Sequence, residues 1–254
     1  MSARELAARQ LSFATAGGEV SALCLAPPRP RWLLVLGHGA GAGMRHPFME
    51  ELAAILASQG MATLRYQFPY MEQGRRRPDA RSVLLDTVQA AALLGQSMAE
   101  ELGRDRGEPG DAGETVSRSL PLLVGGKSMG GRMGSQAAAE GRLPGVRGLV
   151  FFGFPLHPAG RPSTARATHL VEVDVPMLFL QGTRDRLADL DLFVPECRRL
   201  EDRATLHVVE DGDHSFHVLK RTGRTDRSVL EELGRVTAEW AGGEWMARAP
   251  NLNR

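Results

Sequence analysis

The chain has 254 residues, 43% hydrophobic and 24% charged, with a formal net charge of +1. This composition excludes a disordered chain and is long enough to bury a sizeable core, so a single α/β domain over residues 1–254 is expected. The near-zero charge gives no general pull toward nucleic acid or an anionic membrane, and the two cysteines, Cys24 and Cys197, are too few for a disulfide framework or a four-thiolate metal site.

The start, Met1 to Leu6, lacks an apolar signal core, and no stretch approaches the roughly 20 apolar residues of a membrane span. A cytoplasmic protein is therefore expected. Predicted strands at 10–14 and 20–26 are joined by a turn at Gly17-Gly18, after which Pro27, Pro28 and Pro30 break the ladder. Residues 32–37 are an apolar run that stops at His38-Gly39-Ala40-Gly41-Ala42-Gly43. Met49, Leu52, Ala53, Leu56 and Ala57 recur at helical spacing and predict a helix. A strand follows at 61–66, then a long helix at 79–102 that is apolar at Leu84, Val88 and Ala91.

Residues 104–119 read as a polar, Gly-rich and mobile loop. Buried strands are expected at 120–125, 146–152 and 177–182, with a helix at 129–140 after the first of them. The last strand is 205–210, and a closing helix at 226–240 is apolar at Leu230, Leu233, Val236 and Trp240. Apolar strands alternating with helices predict a parallel sheet covered on both faces, with ligands bound beyond the carboxyl ends of its strands.

The loops after those strands carry the chemistry. Gly126-Lys127-Ser128-Met129-Gly130 is a G-x-S-x-G turn between a strand and a helix, which lifts a serine hydroxyl above the sheet. The same stretch overlaps the end of a phosphate-binding loop, but the position of that motif's first glycine holds Pro121, which weakens a nucleotide-binding reading. Lys127 is then a solvent-facing or loop-pairing residue. A serine needs a base. His214, in the turn Asp211-Gly212-Asp213-His214, is chosen over His217, which is expected to pack or cap. The His-x-x-His spacing with Asp211 and Asp213 is incomplete as a metal site, so no metal and no cofactor are expected. Asp185, just past the strand at 177–182, precedes the histidine as the orienting acid, while Asp189 and Asp191 read as solvated charges. Oxyanion donors are expected at the Met129 and Ala40 amides, with Gly41 as second choice.

The ordered set His38-Gly39-Ala40-Gly41, Gly126 to Gly131, Gln181 to Asp185 and Asp213 to Phe216 resembles the dienelactone-hydrolase-like branch of the α/β-hydrolases. Arg65 to Tyr70 and Gly153 to Pro158 resemble, more narrowly, a subgroup that includes testis-expressed protein 30 and a subunit of the non-specific lethal chromatin complex. The resemblance implies an α/β-hydrolase fold with an eight-stranded, mostly parallel sheet. It departs from typical dienelactone hydrolases in having serine rather than cysteine at position 128, which favours esterase-type chemistry.

Residues 153–177 are too few for a large helical lid and hold only a helical patch at 165–171, so a shallow, open site with little or no lid is expected. Gly41, Met44, Phe68, Tyr70, Met71, Phe154 and Leu156 are candidate walls, and Arg75-Arg76-Arg77 is a solvated loop or a lure for anions. His157 could line the pocket. The expected function is a serine hydrolase acting on a small-molecule ester or thioester, as a monomer or homodimer with no nucleic-acid or membrane partner. The alternative is a non-catalytic interaction module on the same fold.

Overall fold

A computed structural model describes residues 6–104 and 119–243. The loop expected at 104–119 therefore lies, but for its two ends, outside the described residues. The chain opens with a hairpin, β1 (Arg9–Thr15) and β2 (Gly18–Leu25), followed by β3 (Trp32–Gly37), α1 (Pro47–Ser58), β4 (Met61–Tyr66), the one-turn α2 (Pro69–Glu72) and α3 (Arg81–Arg104). Then come β5 (Leu122–Lys127), α4 (Met129–Ala139), β6 (Val146–Phe152), β7 (Met177–Gly182), α5 (Leu190–Arg199), β8 (Ala204–Val209) and α6 (Asp226–Ala241).

The strands form one eight-stranded sheet in the order β1-β2-β4-β3-β5-β6-β7-β8. The β1–β2 and β2–β4 pairs are antiparallel and every other pair is parallel. Alternate residues of each central strand feed two cores. Leu33, Val35, Leu149, Phe151, Met177 and Phe179 pack with the α3–α4 side, whereas Leu34, Leu36, Val150, Phe152, Leu178 and Leu180 pack with α1 and α6. Burial on both faces is why these strands read as unbroken apolar runs.

Strand order reverses between β3 and β5. From β3 the chain winds toward β4, and from β5 it winds the other way toward β8. Such a switch point opens a crevice at the carboxyl ends of the two strands. The His38 loop leaves β3 there and Ser128 leaves β5 there. Between β6 and β7 the helical structure is a short 3₁₀ segment, Thr168–Glu172, so this connection carries no helical lid. No helix among the described residues is long and apolar enough to cross a membrane.

Three boundaries differ from expectation for identifiable reasons. β5 begins at Leu122 rather than 120, because Leu120 N–H is drawn to the Ala99 carbonyl at the end of α3 and Pro121 has no N–H for the ladder. It also runs two residues further, because Gly126 and Lys127 pair with Phe151 and Phe152. α3 begins at Arg81 rather than 79, since the Asp79 carboxylate instead holds the Tyr70 N–H (2.8 Å) and the Arg75 guanidinium (2.5 Å).

Four phenylalanines fix the packing of β6 and β7 against α5. The Phe179 ring lies 4.7 Å from Phe151, 5.9 Å from Phe154 and 5.3 Å from Phe193. Removing the central ring leaves a cavity that its neighbours cannot fill. Phe179→Ala is therefore expected to cost about 3–5 kcal/mol in denaturant unfolding; an unchanged midpoint would mean that the cluster relaxes freely.

Candidate active site

Ser128 sits at the tip of the β5–α4 turn with φ 51° and ψ −111°, a conformation that a residue with a side chain adopts only under constraint. The turn is tight because backbone meets backbone. A Cβ on Gly130 would stand 2.3 Å from the Gly37 carbonyl oxygen, so only glycine lets α4 start against the end of β3. The hydroxyl makes no capping bond to its own helix. Instead it lies 2.9 Å from His214 Nε2.

His214 comes from the loop after β8, and its Nδ1 donates to Asp185 Oδ2 at 2.7 Å. Asp185 also accepts from Gln181 Nε2 (2.5 Å) and from Leu187 N–H (2.8 Å). Sequence reasoning gave Gln181 no role, since nothing local marks an amide on a buried strand as a carboxylate donor.

The loops after β7 and β8 are stitched together. Arg184 N–H donates to the Gly212 carbonyl (2.8 Å), Arg184 Nη1 to the Asp211 carbonyl (3.0 Å), and Asp211 N–H to Thr183 Oγ1 (2.9 Å). Asp213 accepts from Ser215 and His217 N–H through one oxygen, which folds the histidine turn. Among the described residues there is no cluster of three or more groups able to hold a metal ion.

His38 fixes the opposite wall. Its Nδ1 donates to the Gly39 carbonyl at 2.9 Å and its Nε2 accepts from Phe68 N–H at 3.1 Å, clamping the His38–Gly43 loop to the end of β4. Both ring nitrogens are committed in the neutral form, and burial pushes the imidazole down to about 4. Ala40 faces the same cavity as Ser128, and Met129 opens the first turn of α4, where backbone N–H groups lack intrahelical acceptors.

The cavity over Ser128 holds about 540 Å³ and is walled by Phe48, Met49, Leu187, Phe216 and Leu230, with His46, Glu51, His217 and Asp226 also on its lining. Most of the expected walls are elsewhere. Phe68, Tyr70, Phe154 and Leu156 are buried in the core on the α3–α4 side, and Met44 lines a separate cavity of about 460 Å³ against β1 and β2. Gly41 is exposed at φ 79° beside Ala40 and outside the lining of the Ser128 cavity.

Other expectations need correcting. Lys127 is half-buried at the cavity and its Nζ donates to the His214 carbonyl at 2.5 Å, which is the loop-pairing half of that reading. His217 is exposed and bonds Asp226 Oδ2 through Nδ1 at 2.7 Å instead of packing. His157 is buried and structural: it accepts from Asp189 N–H and donates to the Pro158 carbonyl. Asp189 caps α5 by accepting from Asp191 N–H, so it is more than a solvated charge. Arg75 ties down its own loop through Asp79 and Gln73.

The sequence matches the alpha/beta hydrolase domain family over residues 30–242. The chain belongs to that family. Two Mycobacterium tuberculosis proteins, provisionally named phosphoribosyl transferases, are 26% identical over 214 residues. The match covers 84% of this chain, which spans only 41% of their length. The fold is shared with the dienelactone hydrolase of Anabaena variabilis, at TM-score 0.65 and 17% identity over 92% of this chain and 96% of the other. It is also shared with an alpha-beta serine hydrolase homologue from Coxiella burnetii, at TM-score 0.67 and 16% identity over 90% and 96%. A lidless serine hydrolase of Xanthomonas campestris matches at TM-score 0.64 and 19% identity over 93% and 96%.

The buried His38 makes stability depend on pH. The unfolded chain protonates this residue below about pH 6.5, and the folded chain does so only near 4. Folding stability is thus fully present above 6.5 and is lost as pH falls toward 4, by about 3 kcal/mol from this residue. Urea unfolding of His38→Gln is expected to show a shallower loss between pH 7 and 4; a slope equal to that of the parent chain would remove His38 as its source.

Proposed function

We propose that the protein is a serine hydrolase that cleaves a small ester or thioester through a covalent acyl-enzyme. The observation that carries this reading is the continuous hydrogen-bonded line from Ser128 Oγ through His214 (2.9 Å) to Asp185 (2.7 Å), set at the ends of three strands. The Ser128 hydroxyl attacks the acyl carbonyl while His214 Nε2 takes its proton, and Asp185 holds the Nδ1–H tautomer and the imidazolium that forms. The Met129 and Ala40 amides receive the oxyanion. Collapse expels the alcohol or thiol, which takes the proton from His214. Water, deprotonated by the same imidazole, then releases the acid and restores Ser128.

The Phe48, Met49, Phe216 and Leu230 walls suit an apolar acyl or alcohol group. The partner is a small soluble acyl compound, met in the cytoplasm by a monomer or homodimer. The finer kinship with the testis-expressed protein 30 subgroup rests on the two short motifs at 65–70 and 153–158.

Ser128→Ala is expected to reduce p-nitrophenyl acetate turnover by about 10⁴- to 10⁶-fold and to abolish labelling by a fluorophosphonate probe. Ser135→Ala, which removes the buried α4 serine whose Oγ lies 2.8 Å from His169 Nε2, is expected to label normally. Retained turnover in Ser128→Ala would refute the assignment, and a parent chain that never labels would favour the interaction module.

A further inference from the structure

Lys127 takes no part in the proton relay, yet its ammonium is enclosed beside it. Nζ donates to the backbone carbonyl of His214 itself at 2.5 Å. It also lies 5.9 Å and 5.6 Å from the Phe48 and Phe216 ring centroids, within cation–π range of both. Gly153, at the end of β6 with φ 72°, leaves the room: a Cβ there would stand 3.1 Å from Nζ and 3.5 Å from His214 Cε1. Lys127 and Lys220 are the two lysines among 31 basic residues. A compact ammonium suits this slot, whereas the broad planar fork of arginine does not.

The topology gives the contact its meaning. Lys127 precedes Ser128 on β5, while the His214 loop follows β8, three places away across the sheet. The triad joins these two ends only through side chains. The Lys127 bond joins the strand carrying the serine to the backbone carrying the histidine. We infer that Lys127 is a positioning residue, whose charged amine holds the His214 backbone so that the imidazole stays in line with the Ser128 hydroxyl. This inference rests on the serine-hydrolase reading above.

The tether is sensitive to pH. Burial pushes the Lys127 amine down to about 8, against the opposing pull of the Asp185 and Asp213 carboxylates. The remaining titratable groups around the cavity are His46 and Glu51 on the α1 side, His217 and Asp226 on the α6 side, and His214 itself. Below pH 8 the bond to the carbonyl is charge-assisted; as pH rises through about 8 the charge goes and the bond weakens.

The test is the rate of fluorophosphonate labelling of the whole chain from pH 6 to 10. In that reaction the Ser128 oxygen displaces fluoride at phosphorus and His214 takes the serine proton. The parent rate is expected to fall above about pH 8. Lys127→Met, which keeps the length of the side chain without its charge, is expected to label about 10- to 100-fold more slowly, since small misplacements of reacting groups cost that much. The loss should fall on the limiting rate rather than on probe affinity, and the variant's curve should lack the fall above pH 8. Thermal melting of Lys127→Met checks that it folds; should it not fold, the parent curve alone decides, and a plateau to pH 10 overturns the proposal. A parent chain that labels alongside a Lys127→Met variant of equal rate and equal pH profile removes this proposal alone. A parent chain that labels at no pH removes the hydrolase reading and this proposal with it.

Discussion

Asp185 is a carboxylate with a fully buried side chain, and the rest of the site follows from how that charge is tolerated. Taking a carboxylate out of water costs several kcal/mol unless its oxygens are bonded. Gln181 Nε2, His214 Nδ1–H and Leu187 N–H supply three donors at 2.5–2.8 Å. With the proton on Nδ1, His214 Nε2 keeps its lone pair and can face only a donor. The Ser128 hydroxyl is that donor. One desolvated charge just past β7 thereby decides the tautomer in the loop after β8 and the direction of the hydroxyl at the end of β5.

The backbone has to bring three loops close enough for this to work. A Cβ on Gly182 would stand 2.2 Å from the Gly212 carbonyl oxygen, which shows how tightly the end of β7 lies against the histidine loop. On the other side Gly130 lets the start of α4 touch β3 in the same way. The positive φ of Ser128 is held in place by these contacts and by its N–H, which donates to the Phe152 carbonyl at 3.2 Å. Strain at Ser128 is thus balanced by packing at the surrounding strand ends.

Four strands buried on both faces were legible in the sequence. The runs at 32–37, 61–66, 146–152 and 177–182 coincide with β3, β4, β6 and β7, because a strand covered on both sides leaves no polar alternation to blur its ends. The serine, the aspartate and the histidine were legible because each sits on a glycine-marked turn at a strand end. The walls were not. Phe68 and Phe216 are both aromatic residues next to strand-end loops, but Phe68 turns into the α3–α4 core against His38 while Phe216 turns into the α1–α6 side and the cavity. Sequence periodicity says that both faces of this sheet are apolar and cannot say which one opens. The Lys127–His214 contact was illegible for a related reason: an amine bonding a backbone carbonyl 87 positions away leaves no local pattern.

A second serine–histidine pair shows that distance alone does not identify a nucleophile. Ser135 Oγ lies 2.8 Å from His169 Nε2, as close as Ser128 is to His214. Yet Ser135 is fully buried within α4 and its hydroxyl proton goes to the Arg132 carbonyl at 2.9 Å, so the oxygen accepts from the imidazole instead of giving it a proton. Burial pushes His169 down to about 4, and the charges that add to it are the Arg132 and Arg81 guanidiniums. A base flanked by cations is penalised on taking up a proton, whereas the His214 ring has the Asp185 carboxylate behind it, bonded to Nδ1 at 2.7 Å. The two pairs share a bond length and differ in the sign of the charge behind the imidazole. That sign, with the exposure of the serine oxygen to a cavity, separates a structural hydrogen bond from one that can carry a proton away from a nucleophile.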